Sequence, residues 1–370
     1  MSKYPVTSVI AQIPSSVPFV GPEIQEREIG RPFVLRLGAN ENGLGPSPKA
    51  LGAMGEMLSQ IWMYGDSACY DLRHALAEFY EVGTENIVVG EGIDALLGYT
   101  CRLFVEPGRN VVTSKGAYPT FNFHVSGNGG NLHFVAMSGY HEDIDGILAK
   151  KKSVGASLSY FSNPNNPMGS WHNAHEIQRL IDGFEGNNLL VLDEAYIEFA
   201  PEDAAPPFDV TNPNLLRFRT FSKAYAMAGA RIGYCIGEAG LIAEIEKVRN
   251  HFGVNRVSQA GALASLNDQA YLSDTISKVV KGREKIGQIA QKYGFEALPS
   301  ATNFVAIDCK GDEQFARDIV DKLTHKAVFI RMPVIAPDIG FIRVSVGSDE
   351  DLNLFDNVLE EVLSDLGFKT

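Results

Sequence analysis

The sequence lacks the features that would assign it to several common classes. Its 370 residues contain only four cysteines, Cys69, Cys101, Cys235 and Cys309, and none has a Cys-x-x-Cys or Cys/His finger spacing. This argues against a zinc finger and indicates buried thiols in a reducing compartment. No apolar run approaches the ~20 residues of a membrane-spanning helix, and Met1–Pro5 contains no apolar signal core. We therefore expect a cytoplasmic protein that has no membrane partner.

Basic charge is also scarce. The net charge is −13, and no block of lysine or arginine interrupts the acidic background. A nucleic-acid partner is therefore not expected, and a bound phosphate would have to be held by local groups. His172 and His175 are three residues apart, but no third ligand accompanies them, so we expect no metal.

Short apolar or β-branched runs alternate with helical segments from residue 87 to residue 236. The predicted strands are Ile87–Val89, Asn110–Thr113, Leu132–Met137, Leu158–Phe161, Leu189–Asp193, Leu215–Arg219 and Ile232–Ile236. Helices are predicted between them at Asp94–Phe104, Tyr118–Gly127 and Ala174–Phe184. This alternation indicates an α/β fold with a mostly parallel sheet, in which ligands bind at the carboxyl ends of the strands.

The periodicity changes at both ends of the chain. Residues 1–35 are rich in proline, which excludes a long helix there, and form either a disordered tail or an arm that lies on a partner subunit. We expect a large domain over residues 36–245. Residues 246–370 mix long helices with strands and predict a smaller α+β domain.

One lysine has surroundings suited to carbonyl chemistry. Lys223 lies in Thr220-Phe221-Ser222-Lys223, and Arg231 follows eight residues later. An amine that attacks a carbonyl must be unprotonated, and a cofactor such as pyridoxal phosphate also needs a carboxylate for its ring nitrogen and donors for its phosphate. Asp193, at the end of a strand, could supply that carboxylate.

In order along the chain, these segments resemble the fold-type I pyridoxal-phosphate aminotransferases, and within them the histidinol-phosphate aminotransferase branch. The matching motifs are Asn40-Glu41-Asn42 with Gly45-Pro46-Ser47-Pro48, Asn165-Asn166-Pro167-Met168-Gly169, Asp193-Glu194-Ala195-Tyr196, Thr220-x-Ser222-Lys223-Ala224, Gly229-x-Arg231-x-Gly233 and Arg343 within Ile342–Gly347. The resemblance covers nearly the whole chain. It implies the fold of that class, with a seven-stranded, mostly parallel sheet and pyridoxal 5'-phosphate as cofactor.

The family's residues imply roles for the positions that match them. Lys223 would bond to the cofactor and then act as general base and acid. Asp193 would hold the ring-nitrogen proton, and Tyr196 would bond the phenolate oxygen. These three form the implied catalytic set. The other implied cofactor-binding residues are Asn166 at the phenolate oxygen, Tyr118 stacked on the ring, and Gly92, Ile93, Asp94, Thr220, Ser222 and Arg231 around the phosphate.

The resemblance also implies partners. Tyr64 would reach the cofactor phosphate of the other subunit in a homodimer. Asn40, Arg331 and Arg343 would bind substrate, with Arg343 gripping a carboxylate through its forked donors. Phe19 stands where the family often has a tyrosine that helps bind the substrate phosphate, so the amino donor stays open.

Three activities fit these residues. The first is ping-pong transfer of an amino group between an amino acid or amino-alcohol phosphate and a 2-oxo acid. The alternatives are an aromatic amino acid aminotransferase and a decarboxylase of a phosphorylated amino acid. A cofactor-binding regulator would need a DNA-binding domain, for which the first 40 residues are too short.

Overall fold

The computed structural model describes residues 4–14, 20–333 and 339–368. Phe19, whose missing hydroxyl bears on the substrate phosphate, lies outside the described residues. Among those ranges, no helix is both long and apolar enough to cross a membrane.

The helices follow the capping and spacing signals of the sequence. Pro22 occupies the first turn of the N-terminal helix, where its missing N–H costs nothing, and Gly30 ends that helix in the left-handed conformation. The helices are α1 Pro22–Ile29, α2 Pro48–Met57, α3 Tyr70–Tyr80, α4 Ile93–Phe104, α5 Pro119–Gly127, α6 Ile144–Val154, α7 Ala174–Asp182, α8 Ala239–Glu246, α9 Arg256–Leu266, α10 Gln269–Lys292, α11 Glu313–His325 and α12 Asp349–Asp365. No prediction from the sequence covers α1, α6, α9 or α11.

The strands form one large sheet and two small ones. They are β1 Leu35–Arg36, β2 Ile87–Gly90, β3 Asn110–Ser114, β4 Asn131–Val135, β5 Leu158–Ser162, β6 Leu189–Asp193, β7 Leu215–Thr220, β8 Gly233–Gly237, β9 Glu296–Ala297, β10 Phe304–Asp308, β11 Val328–Phe329 and β12 Phe341–Ser345. Within the described ranges, seven strands make the large sheet in the order β2-β8-β7-β6-β5-β3-β4. Only β8 runs antiparallel to its neighbours, so the predicted seven-stranded, mostly parallel sheet is confirmed.

Both faces of this sheet are covered by helices. Successive residues of β3 show this, since Val111 packs in a cluster with side chains of α4, α5 and α8, whereas Val112 packs with those of α6 and α7. Side chains alternate between the faces of a strand. A strand that is apolar at every position therefore belongs in the middle layer, which is why the apolar runs predicted strands correctly.

The C-terminal elements form a separate antiparallel sheet in the order β12-β10-β9. Beside it, β1 pairs in parallel with β11, so that Arg36 lies opposite Phe329. The N-terminal segment after α1 is thus hydrogen-bonded to C-terminal elements. The domain boundaries at residues 35 and 245 stay predictions.

Candidate active site

A cavity of about 650 Å³ opens at the carboxyl edge of the large sheet. Segments distant in sequence meet here because β2, β3, β5, β6 and β7 all end at this edge, while β8 begins there. Most of the predicted site residues line the cavity: Asn40, Ile93, Asp94, Tyr118, Asn166, Asp193, Tyr196, Thr220, Ser222, Lys223, Arg231, Arg331 and Arg343. The convergence predicted from the α/β pattern is therefore present in the structure.

Lys223 follows β7 and points into this cavity. Its Nζ donates a hydrogen bond to the backbone carbonyl oxygen of Asn40 at 3.0 Å. Burial and the nearby Arg343 guanidinium lower the pKa of Lys223 to about 8. About a tenth of this amine is then neutral at pH 7, far more than for an ordinary lysine, and the neutral form is the one that a nucleophilic lysine requires.

Asp193 is the last residue of β6, and only 5% of it is exposed. One carboxylate oxygen accepts a hydrogen bond from Tyr160 Oη at 2.6 Å, and the other accepts one from the backbone N–H of Ala195 at 3.0 Å. Burial nevertheless raises the pKa of Asp193 to about 6. Such a carboxylate is well placed to pair with a cationic ring nitrogen. Sequence reasoning missed Tyr160, which reads as one more apolar residue of a buried strand.

Asn40 links several of these groups. It has a φ of 54°, in the left-handed region that asparagine tolerates better than most residues. Its side-chain amide donates to Tyr196 Oη at 3.0 Å, and its own N–H donates to Ser345 Oγ at 3.2 Å. Asn40 thus positions Lys223 and Tyr196.

Arg343 and Arg331 lie side by side on one wall of the cavity. Their backbones form a pair of hydrogen bonds of 2.7 and 3.2 Å. The Arg343 guanidinium donates to Asn166 Oδ1 at 2.6 Å and to the carbonyl oxygen of Gly38 at 3.1 Å. Its Nε is buried without a hydrogen-bond partner in the described parts of the chain. Burial lowers the pKa of Arg343 to about 10, so this cation is stabilised by any anion that enters.

A compact corner lined by two glycines and Arg231 lies at the start of α4. Gly92 precedes this helix with a φ of 84°, and a Cβ there would lie 2.6 Å from Arg231 Nη2. A Cβ on Gly233 would lie 3.1 Å from the backbone nitrogen of Ile93. The two glycines therefore let a guanidinium approach free N–H groups at a helix N-terminus, a combination that favours phosphate.

The remaining residues of this corner are partly engaged already. Thr220 Oγ1 accepts a hydrogen bond from the N–H of Ser222 at 3.0 Å and so shapes the turn before Lys223. The Asp94 carboxylate lies 3.0 Å from His124 Nε2, which leaves its backbone N–H as the group available to a ligand.

Tyr64 does not line the cavity. It is 78% exposed, and its ring centroid lies 5.0 Å from that of Phe252. Leu58, Ile61 and Trp62 are also more than half exposed in the same segment. This cluster of exposed large side chains is the kind of surface that marks a protein interface.

A buried cluster of one carboxylate and two arginines lies directly behind the site, and no sequence motif predicts it. Glu194, next to Asp193, accepts from Arg217 at 2.6 Å and from Arg219 at 3.0 Å. The two arginines lie two residues apart on β7 and therefore face the same side. Together with hydrogen bonding, these cations hold the pKa of Glu194 below its usual value despite its burial.

Comparison with known proteins shows to which family the chain belongs. The model of the aminotransferase class I and II family matches residues 32–359. The histidinol-phosphate aminotransferase of Anaeromyxobacter sp. is 34% identical over 348 residues, covering 91% of this chain and 93% of that protein. The corresponding Moorella thermoacetica enzyme is 30% identical over 359 residues, covering 96% and 92%.

Solved structures give the same result. The crystal structure of histidinol-phosphate aminotransferase from Sinorhizobium meliloti in complex with pyridoxal-5'-phosphate has a TM-score of 0.95, 46% identity and coverage of 99% of both chains. A Thermus thermophilus aspartate aminotransferase shares the fold at a TM-score of 0.84 and 22% identity. The resemblance seen in the motifs is confirmed, and the chain belongs to the class I and II aminotransferase family.

Proposed function

We propose that this aminotransferase uses pyridoxal 5'-phosphate to exchange an amino group between a phosphorylated amino alcohol, of the histidinol phosphate type, and a 2-oxo acid. When bound, the cofactor supplies a carbonyl for amine exchange and a protonated ring that withdraws electrons. The residues present fit this group, since the corner around Gly92 and Arg231 suits its phosphate and the buried Asp193 carboxylate suits its ring nitrogen.

The chain's own residues divide the work. Lys223 would act as the general base and acid of amine exchange, and its pKa of about 8 suits both accepting and donating a proton. Asp193 would hold a proton on the ring nitrogen. Tyr196 and Asn166 would donate hydrogen bonds to the phenolate oxygen, and Tyr118 would cover one face of the ring.

The phosphate contacts are proposed on the same basis. The phosphate would be held by the backbone N–H groups of Ile93 and Asp94 at the start of α4 and by the side chains of Thr220, Ser222 and Arg231. Gly92 would contribute by leaving room for Arg231 to approach.

The proposal for the substrates rests on two adjacent arginines. Arg343 and Arg331 present two guanidinium groups to one wall of the cavity. In a ping-pong reaction, donor and acceptor occupy the same site in turn, so this wall must accept the anionic end of each. A phosphate and a carboxylate both suit forked guanidinium donors.

A half-reaction screen tests this assignment. The enzyme is mixed with histidinol phosphate, histidinol or phenylalanine, and the visible absorption band of the bound cofactor is followed. We expect histidinol phosphate to bleach the band at the lowest concentration. Faster bleaching by phenylalanine would favour the aromatic alternative, and release of carbon dioxide from a phosphorylated amino acid would favour decarboxylation.

We also propose a homodimer in which Tyr64 reaches the cofactor phosphate of the other subunit. Its exposure, its distance from its own cavity and the surrounding apolar side chains support this assembly. Sedimentation of the active enzyme tests it, because full activity in a monomer would contradict the role of Tyr64.

A cytoplasmic location remains part of the proposal. The four cysteines are free and buried, as expected in a reducing compartment. Cell fractionation with an antibody against the chain tests this location.

A further inference from the structure

A buried carboxylate lies outside the cavity and has no role in the chemistry above. Glu142 precedes α6, and only 1% of it is exposed. Its Oε2 accepts a hydrogen bond from Ser114 Oγ at 2.6 Å. Its Oε1 accepts three more, from Ser162 Oγ at 2.6 Å, from the N–H of Ser162 at 3.1 Å and from Asn165 Nδ2 at 2.8 Å.

Three of these four donors belong to two neighbouring strand ends. Ser114 is the last residue of β3 and Ser162 is the last residue of β5, and the two strands pair in parallel. Each strand then leads into a segment that lines the cavity. The segment after β3 carries Tyr118, and the segment after β5 carries Asn166.

Asn165 connects the carboxylate to the second segment. Its Nδ2 donates to Glu142, while its Oδ1 accepts from the N–H of Met168 at 3.0 Å. The side chain thus ties the turn to Glu142 one residue before Asn166. Asn166 in turn accepts from Arg343 at 2.6 Å, so its position also affects the substrate wall.

A carboxylate is the side-chain group that best satisfies these four hydrogen-bond donors. An ionised carboxylate can accept four hydrogen bonds at its two oxygens without donating any. Removing it would leave several buried polar groups without a partner. A glutamine would keep the oxygen that accepts three of these bonds and would place its amide against the Ser114 hydroxyl, which can rotate to accept.

We infer that Glu142 is a positioning residue for the cofactor, because its carboxylate joins the ends of β3 and β5 and so fixes Tyr118 and Asn166 relative to each other. The inference rests on the cofactor roles proposed for those two residues. Glu142 itself does not line the cavity and contacts no reacting atom.

The test measures cofactor affinity and the pH titration of the bound cofactor's visible band in Glu142→Ala. We expect the dissociation constant of pyridoxal phosphate to rise about tenfold or more, as when groups that orient binding side chains are removed. The apparent pKa of the band should rise, because a displaced Asn166 no longer stabilises the phenolate. Glu142→Gln should restore most of both properties.

Asn214→Ala is the matched control. Asn214 is also buried and precedes β7 at the opposite edge of the sheet, where it donates to the carbonyl oxygens of Gly186 and Asn188. This variant should lower the melting temperature without changing either cofactor property. If Glu142→Ala fails to fold, Asn165→Ala removes the link on the loop side and should shift both properties in the same direction.

Asn166→Ala distinguishes a failure of the inference about Glu142 from a failure of the role proposed for Asn166. If it changes the band titration while Glu142→Ala behaves like the Asn214→Ala control, Glu142 is only structural and the inference is wrong. If Asn166→Ala leaves affinity and titration unchanged, the role proposed for Asn166 fails, and the inference about Glu142 fails with it. A changed titration in both variants, rescued in Glu142→Gln, supports the inference.

Discussion

Asp193 should make the cofactor-free enzyme less stable at neutral pH. Burial raises its pKa from an ordinary 3.8 to about 6, which corresponds to a cost of up to about 3 kcal/mol for the ionised form. Because the folded-state pKa exceeds the unfolded-state pKa, the contribution of this group to stability is largest below about pH 4. It is lost as the pH rises through about 6.

Asp193→Asn removes this titration while keeping the shape of the side chain. At pH 7.5 we expect the cofactor-free variant to melt a few °C higher than the cofactor-free wild type, and the difference should vanish towards pH 4. With pyridoxal phosphate present the order should reverse, because only the wild type can pair a carboxylate with the ring nitrogen. The measurement is thermal unfolding of both proteins, with and without cofactor, between pH 4 and pH 8.

Glu194→Gln is the control, since the adjacent residue is equally buried but paired with two arginines. Leaving those cations uncompensated should cost about 3–5 kcal/mol, so this variant should be less stable with or without cofactor. If Asp193→Asn also destabilised the cofactor-free enzyme at pH 7.5, burial would not be the dominant influence on Asp193.

Further variants test the other site residues. The rate at which cofactor-free enzyme captures pyridoxal phosphate should rise with pH and level off above about 8, the pKa of Lys223; a plateau only above pH 10 would contradict this. Arg343→Lys should raise KM for the 2-oxo acid about tenfold through loss of the forked contact, with steady-state kinetics as the measurement. Tyr64→Phe should weaken cofactor binding while leaving the dimer intact in sedimentation; an unchanged dissociation constant would exclude its phosphate contact.

The elements of the large sheet could be predicted from the sequence because they have strong local signals. A strand covered on both faces is apolar along most of its length, as in residues 189–192 of β6, and such short runs are hard to miss. The helix Glu313–His325 is strongly amphipathic and has an Asp312 cap, so it could have been found. The prolines of residues 1–35 disfavour a long helix but do not exclude the short helix Pro22–Ile29, because the first turn of a helix accepts proline.

The site was predictable only where motifs fix residue type and spacing. Lys223, Asp193 and Arg343 belong to such motifs. Tyr160 and Glu142 do not, since their partners come from other strands and loops, and the register that brings them together is set by packing of the whole sheet. Residues that orient a site through long-range hydrogen bonds are therefore the ones that a single sequence conceals.

Asp193 and Glu194 show how one fold gives adjacent carboxylates different tasks. Successive residues at a strand end point to opposite faces, so Asp193 faces the cavity while Glu194 faces Arg217 and Arg219. Two cations offset the free-energy cost of burying the Glu194 carboxylate. These ion pairs also connect the end of β6 to β7. No hydrogen bond from a cation reaches Asp193 in the described residues, so its charge is left to be compensated by a ligand. The cost of burying that charge is thus the reason why we propose Asp193 as the partner of a cationic ring.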